Sequence, residues 1–230
     1  MPLTGFFIAG TDNGVGKTEV ARALLMGMPG AVPLKPVETG CAPDPHDALA
    51  LLSACGRDLP LDRVCPHRFA LPAAPLAAAE AEGREVSMAR IFEQAGRAAV
   101  EGAPLVVEAA GGLLVPLARE RGELVTNIDF ARSLRLPVVL VARAGLGTIN
   151  HTALSIEALA RRGIAVAAVV LNRTSRDDDA SVAGNAHWIE ELTGARVLGP
   201  TPFVADAAAR PRALLDALTP LLPATRVRAP

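Results

Sequence analysis

The sequence of 230 residues predicts an α/β fold, a mostly parallel sheet with helices on both faces, in one domain spanning residues 1–230. Three observations carry that expectation. Strand-like apolar runs alternate with helical patterns from end to end. The runs are apolar almost throughout, Leu136–Ala142 above all, as strands covered on both faces must be. A glycine-studded turn joins the first strand to the first helix.

Composition narrows the function classes. Half the residues are apolar, enough for a core on each side of a sheet. A net charge of -1 gives no electrostatic footprint for nucleic acid or an anionic membrane. No apolar run approaches the ~20 residues of a membrane span, and the N-terminus lacks the basic region of a signal peptide. Cys41, Cys55 and Cys65 are odd in number and lack metal-like pairing, so reduced thiols and a cytoplasmic location are expected.

In chain order, Gly5–Ala9 reads as a strand and Lys17–Met28 as the following helix. Ala31–Leu34 is a short apolar run suited to a parallel neighbour strand. Pro36 keeps Lys35 extended, so no helix begins there. Asp44–Asp47 starts a helix that runs into Leu52, and Cys55–Pro75 reads as irregular. The alanines around Ala77–Ala81 read as helix. Ser87 caps a helix through Val100 that aligns Ile91, Ala95 and Ala99. Strands follow at Pro104–Val107, Leu136–Ala142, Ile164–Leu171 and Arg196–Gly199. Helices are expected over Thr126–Ser133, up to about Thr193, and in part after Ala205. Arg176–Asp179 reads as a solvated loop and helix N-terminus, and the tail from Pro223 as frayed.

The first turn carries the chemistry. Gly10, Thr11, Asp12, Asn13, Gly14, Val15, Gly16, Lys17 and Thr18 follow a buried strand and open a helix. Glycines let successive N–H groups curl around an anion, and the helix N-terminus adds partial positive charge. Lys17 would reach the outer phosphates of a nucleotide and the Thr18 hydroxyl would ligate Mg²⁺. This is the strand, turn and helix order of a P-loop NTPase architecture, with one residue more between Gly10 and Gly16 than the usual spacing; the alternative is an ordinary strand-to-helix turn that carries Gly-Lys-Thr.

Lysine usage points to a second residue. Lysine and arginine total 23, yet the only lysines are Lys17 and Lys35. Where arginine serves every generic need, a retained lysine marks a place for a compact ammonium. Lys35 is then an active-site candidate at a strand's C-terminal end; the alternative is a surface leftover. Glu108, before Gly111 and Gly112, is either a Walker-B-like magnesium ligand or an acid that caps a turn. Gly145-Leu146-Gly147 is either a second anion cradle or a tight turn.

Taken together, these motifs resemble the dethiobiotin synthetase family. The resemblance rests on Gly10–Asp12 with Gly16–Thr18, on Lys35–Val37 with Thr39-Gly40, and on Asp47–Leu51. It continues through Glu108 with Gly111-Gly112, Gly145–His151, Leu198-Gly199 and Pro202. It spans nearly the whole chain and accounts for the longer loop. It implies that 7,8-diaminopelargonate, CO2 and ATP give dethiobiotin, ADP and phosphate. An amine captures CO2 as a carbamate, whose oxygen attacks the γ-phosphate. The other amine then closes the ring on the carbamic-phosphoric anhydride.

Residue by residue, the resemblance implies Lys17 and Lys35 as catalytic groups, and Thr18, Asp47 and Glu108 as Mg²⁺ ligands. Nucleotide contacts are implied at Asn13, Gly14, Val15, Gly16, Lys17, Thr18 and Glu19, and at Asp47, Glu108, Ala109, Ala110 and Gly111. Asn172 and Arg173, with Pro202, Phe203 and Val204, would take the base. Thr11, Asn13, Lys35 and Thr39 would touch substrate, and Gly145, Leu146, Gly147, Thr148 and Asn150 would hold its distant carboxylate from the second subunit of a homodimer. Asn13, Gly14 and Ala109 depart from the family's usual residues. Trp188 stands near where a partner aromatic would cover substrate; core packing is the alternative. A partition-type ATPase would carry a lysine where Asp12 stands, so that switch-like class is disfavoured.

Overall fold

The structure, a computed structural model, describes residues 2–176 and 179–223. Its elements in order are β1 (Gly5–Gly10), α1 (Lys17–Gly27), β2 (Val32–Leu34), β3 (Val37–Thr39), α2 (His46–Cys55), α3 (Leu61–Val64) and β4 (His67–Phe69). Then come α4 (Pro75–Ala81), α5 (Met88–Glu101), β5 (Leu105–Gly112), β6 (Pro116–Glu120), β7 (Glu123–Thr126) and α6 (Asn127–Leu134). The last are β8 (Val138–Arg143), α7 (Thr148–Ala160), β9 (Val166–Asn172), α8 (Val182–Thr193), β10 (Val197–Leu198) and α9 (Arg210–Leu218).

The main sheet runs β10-β9-β8-β1-β5-β2. All its pairings are parallel, so the apolar strand runs are covered on both faces as expected. The two-residue period sorts the side chains. Phe7, Leu105, Val107 and Leu140 pack with Ile91, Ile128 and Leu159 on one side. Ile8, Val106, Val139 and Val141 pack with Leu24, Leu214 and Leu218 on the other. Phe130 holds the first layer together, meeting Phe7 and Phe92 edge to face at 5.7 and 5.6 Å. Ser87 caps α5 by accepting the Arg90 N–H at 3.2 Å.

Three expectations need correcting. Residues 55–75 are not irregular throughout: α3 lies there, and β4 pairs with β3 in a small parallel sheet apart from the main one. β4 is three residues long and exists by virtue of that pairing, which local sequence cannot announce. The β6–β7 hairpin ahead of α6 also went unread. Finally, β5 continues past Glu108 to Gly112, because its pairing with β1 extends to Gly10 opposite Gly112. Of the Arg176–Asp179 loop, Asp177 and Asp178 lie outside the described residues, as does the tail after Pro223. Among the described residues no helix is long and apolar enough to cross a membrane.

Candidate active site

β1 delivers the glycine turn to the C-terminal edge of the sheet, beside the ends of β5 and β8. Gly14 and Gly16 hold φ of 66° and 94°, the left-handed region that lets the chain curl there. Lys17 opens α1, and its ammonium donates to the Asp12 carbonyl at 2.9 Å. A Cβ on Gly16 would stand 2.1 Å from the Asn172 amide nitrogen. Gly16→Ala is therefore expected to weaken ATP binding by at least about tenfold, since left-handed backbone alone costs about 1–2 kcal/mol per residue. Calorimetric titration with ATP checks this, and an unchanged affinity would show that the loop absorbs the methyl.

Four side chains from four elements meet behind the turn. The Lys35 ammonium, just past β2, donates to Asp47 Oδ2 at 2.7 Å and to Glu108 Oε1 at 2.6 Å. The Thr18 hydroxyl lies 3.0 Å from Asp47 Oδ1 and 2.9 Å from Glu108 Oε1. Glu108 reaches this point from mid-strand because the sheet period puts it on the α1 face, with Val106 and opposite Ile8. Both members of the Lys35–Glu108 pair are buried. Lys35 is therefore not a surface leftover, and Glu108 caps no turn.

The electrostatics follow from that burial. Desolvation alone would lower Lys35, but the Glu108 and Asp47 carboxylates outweigh it and hold the ammonium above the ordinary lysine value. For Asp47, burial is outweighed by Lys35 and the carboxyl is held low. Burial pushes Glu108 up, with Lys35 drawing it back. Burial pushes Lys17 down, and the Lys35 charge adds to that.

The residues fit a magnesium ion. Glu108 Oε2 is buried without a hydrogen-bond partner, beside Asp47 and the Thr18 hydroxyl. Among the described residues no three His, Cys, Asp or Glu side chains gather into a cage. Two carboxylates and a hydroxyl suit Mg²⁺, which keeps waters and phosphate oxygens in its other positions.

The cluster lies in a cleft of about 750 Å³. Asn13, Gly14, Gly16, Glu19, Thr39, Ala110 and Gly111 line it. A slot of about 180 Å³ adjoins it, sharing Gly14, Gly16 and Glu19 and walled by Asn172, Arg173, Pro202, Phe203 and Val204. Asn172 is partly committed: it donates to the Val15 carbonyl at 2.9 Å and accepts from Thr201 Oγ1 at 2.8 Å.

Several expected residues sit elsewhere. The Val15 side chain is buried in the α1-side core, and Ala109, one step from Glu108 on the pleat, turns into the opposite core. Neither side chain faces the cleft. Thr11 is absent from the lining and pairs its N–H with the Val141 carbonyl. Gly145, Leu146, Gly147, Thr148 and Asn150 do not line their own chain's cleft. Leu146 N–H already donates to Asp179 Oδ2 at 2.6 Å, so Asp179 is not simply solvated. Trp188 is 56% exposed and is no core residue.

Among the charged residues of the lining, two went unread. Glu38 on β3 faces the cleft. Arg210, at the start of α9, lines both cleft and slot while donating to the Val204 carbonyl at 2.8 Å. No local pattern marks either, although scarcity of acids on short buried strands could have singled out Glu38.

A family profile described as an AAA domain matches residues 4–210. Among curated proteins, the ATP-dependent dethiobiotin synthetase BioD of Anaeromyxobacter dehalogenans is 53% identical over 218 residues, 92% of this chain and 96% of the relative. The Haloferax mediterranei protein of the same name is 39% identical, covering 86% of this chain and 84% of its own length. That of Bacillus cereus is also 39% identical, with 88% and 85% covered.

Proposed function

The chain belongs to the ATP-dependent dethiobiotin synthetase family, and from that premise we propose how its cleft carries out the reaction. It is an ATP-dependent ligase that closes the ring of dethiobiotin from 7,8-diaminopelargonate and CO2. The observation that carries the reading is the meeting of Lys35, Thr18, Asp47 and Glu108 at the phosphate-binding turn.

One substrate amine adds to CO2, loses a proton and becomes a carbamate. A carbamate oxygen attacks the γ-phosphorus of ATP, and the bond to ADP breaks. The second amine then attacks the carbonyl of the mixed anhydride, closes the ureido ring and expels phosphate. Phosphoryl transfer of this kind needs positioning and charge neutralisation more than covalent help. Lys17 neutralises the phosphates as they accept charge. Lys35, held protonated by two carboxylates, meets the substrate as a hydrogen-bond donor and not as a base. Its ammonium draws the carbamate toward the γ-phosphate and steadies charge between them. Thr18, Asp47 and Glu108 would hold Mg²⁺, which when bound supplies two positive charges against the phosphate oxygens. The base would enter the slot beside Asn172, Pro202 and Val204, with Phe203 as its aromatic wall.

We place the far carboxylate of the substrate at the Gly145–Asn150 turn of a second subunit. In support, that turn lies outside its own chain's cleft, and the apolar side chains Leu146, Leu154, Trp188 and Leu192 on it and on α7 and α8 are exposed. We read these exposed apolar groups as part of the face on which a second copy would pack.

The test is phosphate release from MgATP with the diamine and bicarbonate supplied together, singly or not at all. Turnover is expected only with both. Comparable release without either would make the protein a nucleotide switch and not a ligase.

A further inference from the structure

Helix α2 begins without a cap of its own. Pro45 precedes it and offers no side-chain acceptor, although first-turn N–H groups have no partner inside a helix. The acceptor comes instead from β3. Glu38 Oε1 accepts the Asp47 N–H and Oε2 accepts the Ala48 N–H, each at 2.8 Å. This carboxylate is 7% exposed and uses both oxygens on a helix N-terminus, where negative charge is favoured.

A cap alone would not need this arrangement. A serine or aspartate at position 45 could accept one of these N–H groups from the helix's own N-cap position. What a remote acid adds is a tie between two elements. Glu38 lies three residues past Lys35, and Asp47 is the residue whose carboxylate meets the Lys35 ammonium and the Thr18 hydroxyl. Asp47 is thus gripped twice, by its backbone from β3 and by its side chain from Lys35 and Thr18. Its side chain is 41% exposed, so packing alone leaves it free to turn away. A half-open acid needs a fixed backbone if its oxygens are to keep one direction.

We infer that Glu38 is a positioning residue: through the backbone of α2 it aims the Asp47 carboxylate at the point where metal and triphosphate are bound. The inference rests on the reading of Asp47 as a metal ligand. Outer groups that orient metal ligands typically contribute 10–100-fold to metal affinity.

The test uses the full chain, wild type and Glu38→Gln, Glu38→Ala and Asp47→Asn. Binding of Mn²⁺, standing in for Mg²⁺, to the protein–ADP complex is followed by electron paramagnetic resonance. Diamine binding is followed by calorimetry without metal, and amide exchange at residues 47 and 48 by NMR. Both Glu38 variants are expected to weaken Mn²⁺ about tenfold, to expose the two amides to exchange, and to bind the diamine within about twofold of wild type. Glu38→Gln keeps the side-chain volume but sets an amide N–H against a backbone N–H. It decides the matter if Glu38→Ala does not fold. Mn²⁺ weakened by Asp47→Asn but not by the Glu38 variants would overturn this inference alone. Mn²⁺ unchanged by Asp47→Asn would overturn the metal reading beneath it. Diamine binding lost to the same degree as Mn²⁺ would make Glu38 a wall of the cleft and not a positioning group.

Discussion

Lys35→Arg is expected to fold, to bind ATP within about threefold of wild type, and to lose about a thousandfold in turnover, the upper range for removing one donor from a developing charge. The reason is shape and not charge. The Lys35 side chain is buried, and its one nitrogen serves Asp47 and Glu108, acids from different elements, at 2.7 and 2.6 Å. A guanidinium is planar and wider, with its donors fixed in a fork suited to one carboxylate edge. It would pair with one acid, push against the other, and present a displaced charge to the carbamate. Steady-state kinetics set beside ATP calorimetry separates the two effects. Near-normal turnover in the variant would remove Lys35 from the chemistry.

The second large effect is expected at Glu108. Glu108→Gln keeps the volume but removes the negative charge that faces Lys35 and the oxygen otherwise unpartnered there. The Mg²⁺ concentration for half-maximal rate should rise at least about tenfold, the usual result of weakening a metal's ligand set. The fold should also lose roughly 1–3 kcal/mol. Breaking a buried ion pair outright costs about 3–5 kcal/mol, and here Asp47 remains to pair with the ammonium. Metal titration of the rate and denaturant unfolding measure the two losses independently. An unchanged titration would take Glu108 out of the metal's reach while leaving its structural part intact.

The parts of the fold visible in the sequence are those decided by local physics. Runs such as Val138–Ala142 are too apolar to be anything but covered strands, and the glycines of the first turn require backbone that other residues resist. Lys35 was readable for a compositional reason, since it is one of only two lysines. What stayed hidden depends on partners distant in the chain. β4 is a strand because β3 lies beside it, and Glu38 matters because α2 folds back over it. Arg210 reaches the nucleotide cleft because α9 packs on α1. Strand continuation misplaced Glu108 by an element's end without moving it from the site, because the pleat alone determines which face it takes. The same pleat sent Ala109 to the opposite core, a one-residue distinction that motif matching does not make.

The distribution of ammonium groups has a practical outcome. Elsewhere on the chain, side-chain positive charge is carried by guanidinium, and both ε-amines lie inside one cleft. Apart from the amino terminus, a reagent that acylates or reductively alkylates amines finds only these two, and Lys17, which burial pushes down, is the nucleophile of the pair, because Lys35 is held protonated by its two carboxylates. Modification of Lys17, read by mass, thus reports whether the cleft is occupied without altering a single residue.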